Sequence, residues 1–163
     1  MNSKDIRVII PALNEQNAIG HVIEEIPKDW ITEIIVVDNG STDQTFTTAQ
    51  ELGVIVLKES KRGYGSACLK AIDHLSNSNL KPDVVVFIDA DYSDYPSELV
   101  KLVDPIINGT ADMVIGSRNL GIKEPGSMMP QQIFGNWLAT TLISYLYGTD
   151  YTDLGPFRAI KYD

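Results

Sequence analysis

Two carboxylates one residue apart, Asp89-Ala90-Asp91, follow directly on the apolar run Val84-Val85-Val86-Phe87-Ile88. Such a run reads as a buried strand, and the end of a buried strand delivers its side chains to the carboxyl edge of a sheet, where open α/β folds bind ligands. At an effective dielectric of about 20, like charges about 4 Å apart repel by roughly 4 kcal/mol. A divalent cation turns that repulsion into binding. An all-oxygen donor set suits Mg²⁺ or Mn²⁺, with phosphate oxygens completing the shell. Taken alone, an Asp-x-Asp is as often an ordinary solvated strand end.

Other segments carry polar groups where strands end. Pro11-Ala12-Leu13-Asn14-Glu15 closes a first apolar strand and turns polar side chains toward the same edge. Asp38-Asn39-Gly40-Ser41-Thr42-Asp43 follows a second strand. There Asp38 is placed to accept hydrogen bonds from a base or ribose, although Asn-Gly and Ser/Thr also build a turn and a helix cap unaided. In Lys61-Arg62-Gly63-Tyr64-Gly65-Ser66, Gly63 and Gly65 allow close backbone approach, and the helix that follows favours anions at its N-terminus. The segment lacks the Gly-Lys-Ser/Thr of a Walker loop, and Cys68 stands where a dinucleotide fingerprint needs its third glycine. Gly116-Ser117-Arg118 offers an arginine that could pair bidentately with phosphate, or simply face solvent. Tyr151 to Arg158 is a turn-rich stretch containing Asp153. His21 and His74 have no partner at metal-ligand spacing and read as surface residues, and Cys68 reads as a small buried core residue.

The elements that position these segments alternate strand and helix. Strands are expected over Arg7–Pro11, Glu33–Val37, Val54–Leu57, Val84–Ile88 and Met113–Gly116. The helix carrying Ile19, Val22, Ile23 and Ile26 has Asn14 or Asn17 available as N-cap. Ser41 with Gln44 resembles a capping box for a helix running to about Leu52. Ala67, Leu69, Ala71, Ile72 and Leu75 mark a third helix, and Pro96 suits the first turn of a fourth reaching Ile107. A loop over Leu120–Met129 and a longer helix bearing Phe134, Trp137, Leu138, Thr141, Leu142 and Tyr145 complete the pattern. Alternating βα units imply an α/β fold with a mostly parallel sheet and helices on both faces.

Composition narrows the classes. The 163 residues favour one domain with a single core, and 44% apolar with 21% charged content argues for a globular chain. A net charge of −9 argues against a general nucleic-acid binder. With one cysteine, no intrachain disulfide forms. No apolar run reaches transmembrane length and no signal-peptide core is visible, so a cytoplasmic location is the default expectation.

Together the segments resemble family 2 glycosyltransferases of the GT-A fold, in particular bacterial dolichyl- or polyprenyl-phosphate mannosyl- and glucosyltransferases. The resemblance rests on Val8-Ile9-Ile10-Pro11-Ala12-Leu13-Asn14-Glu15, Ile35-Val36-Val37-Asp38-Asn39-Gly40-Ser41-Thr42-Asp43, Asp89-Ala90-Asp91, Gly116-Ser117-Arg118 and Asp153-Leu154-Gly155-Pro156-Phe157-Arg158-Ala159. It implies a single catalytic domain over residues 1–163. It implies that Pro11, Ala12, Asn14, Glu15 and Asp38 hold the nucleotide, that Asp89 and Asp91 hold a metal on the donor diphosphate, and that Arg118 faces phosphate. Asp153 is implied near the acceptor. Ser93 stands where polyprenyl-phosphate members often have glutamine, and Gly155-Pro156 where they carry Ser-Gly. Such relatives usually continue past this point, so the usual C-terminal segment is expected to be missing.

The implied reaction is inverting transfer of a hexose from a nucleotide sugar of the UDP-glucose or GDP-mannose type. The acceptor would be a lipid phosphate at the inner face of the cell membrane, in cell-envelope synthesis. A hydroxyl acceptor would use Asp153 as general base, whereas a phosphate acceptor needs little activation. Two alternatives stand beside it. A haloacid-dehalogenase-type phosphatase also places Asp-x-Asp after an apolar strand, but near the N-terminus and followed by Gly-Thr rather than Tyr92-Ser93. A donor-binding fragment without turnover would bind nucleotide sugar and transfer nothing.

Overall fold

The computed structural model describes residues 4–116 and 155–162. The chain forms two compact units, one of Met1–Val114 with Phe157–Asp163 and one of Ile115–Pro156. The second falls almost wholly outside the described residues, as do the loop and helix expected over 120–145, and the first carries the fold. Its strands are β1 (Ile6–Ala12), β2 (Glu33–Asp38), β3 (Ile55–Lys58), β4 (Val84–Phe87), β5 (Met113–Ile115) and β6 (Arg158–Lys161). Its helices are α1 (Ile19–Glu25), α2 (Thr45–Glu51), α3 (Tyr64–Ser76) and α4 (Leu99–Ile107). Short 3₁₀ turns occupy Lys28–Trp30 and Pro96–Glu98.

The strands form one sheet in the order β3-β2-β1-β4-β6-β5. β1 lies parallel to β2, with Val8 opposite Ile34, and parallel to β4, with Val8 opposite Val86. β2 and β3 are parallel, and β6 runs antiparallel to β4. Alternation along each strand separates two cores, because successive side chains point to opposite faces. Val8 and Ile10 of β1, Val36 of β2 and Val84 and Val86 of β4 join Ile19, Val22 and Ile23 of α1, Ala49 of α2 and Leu99, Leu102, Val103 and Ile106 of α4. On the other face, Ile9, Ile35, Val37 and Val85 meet Ala67, Ala71 and Leu75 of α3. Strands covered on both faces are largely apolar, and β1 is buried at all seven positions, Arg7 included.

Three expectations are corrected. α2 begins at Thr45, not Ser41, and has no capping box. Asp43 takes that role, its Oδ1 accepting the Thr45 N–H at 3.0 Å, while the Ser41 hydroxyl accepts the Asn14 N–H. α1 is capped by neither Asn14 nor Asn17; Ala18 precedes it without a side-chain cap. The segment read as turn-rich up to Arg158 instead enters a strand there, with Phe157 buried in the first core. Asp5 and Asp83 stitch the opposite edge of the sheet, where the Asp83 carboxylate accepts the Asp5 N–H at 2.8 Å.

Candidate functional site

The chain leaves β1 toward β2 on one side and returns from β3 through α3 to β4 on the other. β1 and β4 therefore flank the point where strand order reverses, and the carboxyl ends of those strands form the crevice that α/β sheets use for ligands. A cavity of about 280 Å³ lies there, lined by Pro11, Ala12, Leu13, Glu15, Asn39, Gly63, Tyr64, Ala67, Asp89, Ala90 and Asp91. Among the residues anticipated from sequence, Pro11, Ala12, Glu15, Gly63, Asp89, Ala90 and Asp91 thus come together. Asp38 and Asn14 do not line this cavity. Arg118 and Asp153 lie outside the described residues.

The two acids of the triplet leave β4 in different settings. Asp91 is exposed, and its Oδ1 accepts the Ser93 N–H at 3.0 Å. Asp89 is half-buried, and its charge acts on the Tyr64 phenol. Burial, then the Asp89 charge, pushes that phenol well above its ordinary value, so Tyr64 keeps its proton and acts as a donor. Glu15 faces the same charges: burial first, then Asp91, Asp43 and Asp89, raises its carboxyl. Three acids therefore share one crevice at an electrostatic cost that a cation would relieve. Among the described residues no three His, Cys, Asp or Glu side chains are arranged to hold a metal by themselves. The donor set fits a hard cation held by Asp89 and Asp91, whose remaining positions fall to ligand oxygens and water.

Opposite the acids stands the first turn of α3. Gly63 precedes it at φ +129°, a conformation a side chain would strain. The N-cap of α3, Gly63, has no capping side chain and the first turn holds no acid, a setting that favours an anion at the helix start. The Gly-rich segment is set by Asn39, which is 5% exposed. Its Nδ2 donates to the carbonyls of Glu59 and Lys61 at 3.1 and 2.8 Å, and its Oδ1 accepts the Gly63 N–H at 2.7 Å. Asp38, also buried, accepts the Ser41 N–H at 3.2 Å. Asn14, at φ +58°, spends its amide oxygen on the Thr42 N–H at 2.8 Å and so braces the rim.

Sequence reasoning missed Asn39, Tyr64, Leu13 and Ala67 as cavity residues. Cys68 is corrected: it is half-buried and belongs to neither core cluster. Burial raises its thiol, which lies one helical turn from Tyr64. His21 is exposed, as expected, and His74 is half-buried.

The chain belongs to glycosyl transferase family 2, whose model matches residues 7–162. It is similar to a low-salt glycan biosynthesis hexosyltransferase of Haloferax volcanii, 35% identical over 91% of this chain and 36% of the relative. It is also similar to the UDP-N-acetylglucosamine–dolichyl-phosphate N-acetylglucosaminyltransferase of Methanococcus voltae, 32% identical over 93% of this chain and 66% of that protein. Among solved structures it matches glucosyl-3-phosphoglycerate synthase from Mycobacterium tuberculosis in complex with Mn²⁺, UDP-glucose and phosphoglyceric acid. That match has a TM-score of 0.73 at 27% identity, over 97% of this chain and 56% of that one. The chain thus spans 36% and 66% of the length of the two curated relatives. The mostly parallel sheet with helices on both faces is the GT-A fold. Membership of family 2 sets the phosphatase alternative aside.

Proposed function

We propose that this chain binds a nucleotide sugar and transfers its hexose, with inversion, to an acceptor. The observation that carries this reading is the meeting of Asp89, Asp91 and Glu15 with the uncapped N-terminus of α3 in one cavity at the strand-order switch. Asp89 and Asp91 would hold Mg²⁺ or Mn²⁺. When bound, that ion would neutralise charge developing on the departing nucleoside diphosphate. The chain's own groups orient the donor. The Gly63–Tyr64 backbone at the start of α3 faces phosphate, Pro11 and Ala12 wall the crevice, and Asp38 offers its buried carboxylate to the nucleoside. At about 280 Å³ the cavity falls at the low end of small-molecule sites, roughly 300 Å³ upward. It suits one part of a nucleotide sugar, the diphosphate end beside the acids.

The catalytic domain is taken as residues 1–163, with Arg118 assigned to phosphate and Asp153 to general-base work on a hydroxyl acceptor. The relative that acts on dolichyl phosphate supports a lipid phosphate as acceptor, reached from the inner face of the membrane. Among the described residues no helix is long and apolar enough to cross a membrane. Thermal-shift screening of UDP-glucose, UDP-N-acetylglucosamine and GDP-mannose, with and without Mn²⁺, tests the donor half. One donor should stabilise the chain in a Mn²⁺-dependent way, and Asp91→Ala should lose that dependence. A donor shift that ignores both Mn²⁺ and Asp91 would remove the metal role. Transfer to polyprenyl phosphate tests the acceptor half: a phosphate nucleophile needs little activation, so Asp153→Asn should retain most of that transfer, whereas transfer to a hydroxyl acceptor should be lost with donor binding intact; binding without any transfer would favour the fragment alternative.

A further inference from the structure

Tyr92 directly follows the second acid of the triplet and holds φ at +61°. Bulky L-residues avoid that conformation. Its ring is 42% exposed, so packing into a core does not account for it. Two side chains one turn apart on α1 meet it instead. Its hydroxyl hydrogen-bonds the Glu25 carboxylate, and its ring centroid lies 5.8 Å from that of His21 at an interplanar angle of 54°. Directly before Tyr92, the exposed Asp91 carboxylate accepts the Ser93 N–H at 3.0 Å. That bond spans the Tyr92 backbone, so it closes only while the chain turns back there.

We propose that Tyr92, tethered by Glu25 and braced by His21, is a positioning residue that fixes the carboxylate of Asp91. The inference rests on the reading of Asp91 as the group that holds a cation on the donor diphosphate. Ligating carboxylates need outer hydrogen bonds to set their orientation. Asp89 is half-buried, whereas Asp91 is exposed and depends on the turn behind it. α1 thereby holds the second acid from outside the cavity.

Calorimetric titration of the 163-residue chain with UDP-glucose, UDP-N-acetylglucosamine and GDP-mannose, each with and without MnCl₂, provides the test. The readout is the factor by which Mn²⁺ tightens donor binding. Tyr92→Phe and Glu25→Ala should each reduce that factor roughly tenfold. The double variant should be no worse than either single one, because both remove the same bond. Tyr92→Gly accepts the backbone angle without strain but has no tether, and should fall with them. A merely structural role would lower the melting temperature of these variants and leave the Mn²⁺ factor untouched. If all three keep the wild-type factor while Asp91→Ala loses it, the inference fails and the reading of Asp91 stands. If Asp91→Ala keeps it, or the wild type shows none, both fail.

Discussion

Asn39 uses its side-chain amide in three hydrogen bonds, donating to the Glu59 and Lys61 carbonyls and accepting the Gly63 N–H. Asn39→Asp keeps size and shape but replaces the donating nitrogen with an oxygen that faces those two carbonyls. The variant should lose about 2–4 kcal/mol in denaturant unfolding, and donor binding should weaken as Gly63 shifts. Glu15 gives a pH signature. Its carboxyl is raised above the ordinary 4.5 by burial first and then by Asp91, Asp43 and Asp89. The folded chain therefore holds this proton more tightly than the unfolded chain. The stability it contributes is present below the ordinary value and is lost as pH rises through the raised one. Without metal, Glu15→Gln should gain stability over the wild type across that window and hold the gain at neutral pH, measured as a melting-temperature difference against pH. Saturating Mn²⁺ should shrink or reverse that difference. At this scale the acids were legible in sequence because like charges at a strand end need a reason. Tyr64 and Asn39 were not. A tyrosine inside a glycine-rich turn carries no periodic signal, and an Asn-Gly reads equally well as a plain turn. Cys68 was misjudged because apolar spacing along α3 marks a stripe without saying which end of it faces the cavity.

At the scale of elements, the edge of the sheet remote from the cavity is tied by Arg7, whose side chain is 7% exposed. Its guanidinium meets Asp5 through two contacts of 3.0 and 2.9 Å, and it reaches Glu33 at 3.4 Å and the Leu80 carbonyl at 2.8 Å. These bonds join the starts of β1 and β2 to the segment before β4. Arg7→Ala leaves the part-buried Asp5 and Glu33 carboxylates and the Leu80 carbonyl without their donor, so it should cost about 1–3 kcal/mol of unfolding free energy. The fraction still folded should bind donor as the wild type does, since Arg7 lies at the opposite end of β1 from the cavity. β1, β2 and β4 were readable because strands covered on both faces become continuous apolar runs. α2 was misplaced because Ser41, a sound cap by type, is claimed by Asn14 across the crevice, a contact between distant residues. β6 was missed for a similar reason: Arg158–Lys161 is only four residues long, and its partner β4 lies far away in sequence.

Over the whole molecule, acid dominates, with a formal net charge of −9. Part of that charge is gathered at the cavity, so a bound cation and donor should stabilise the fold as a unit. At a donor concentration about 100 times its dissociation constant, linkage adds roughly 2.7 kcal/mol. The melting temperature with saturating Mn²⁺ and donor should rise accordingly, and EDTA should return it to the apo value. The order of the sheet has another consequence, for the time course of assembly. β6 sits between β4 and β5, although β5 precedes it in the chain. During synthesis β1 to β4 find parallel neighbours from within their own stretch, while among the described strands β5 has no adjoining strand until Arg158–Lys161 emerges from the ribosome. Until then β4 is an open edge built of Val84, Val85, Val86 and Phe87, the kind of edge that recruits other chains. Pulse-labelled hydrogen exchange during refolding should find the β5 amides protected no earlier than those of β6. Among the described strands, it is the arrival of β6 that covers this aggregation-prone edge.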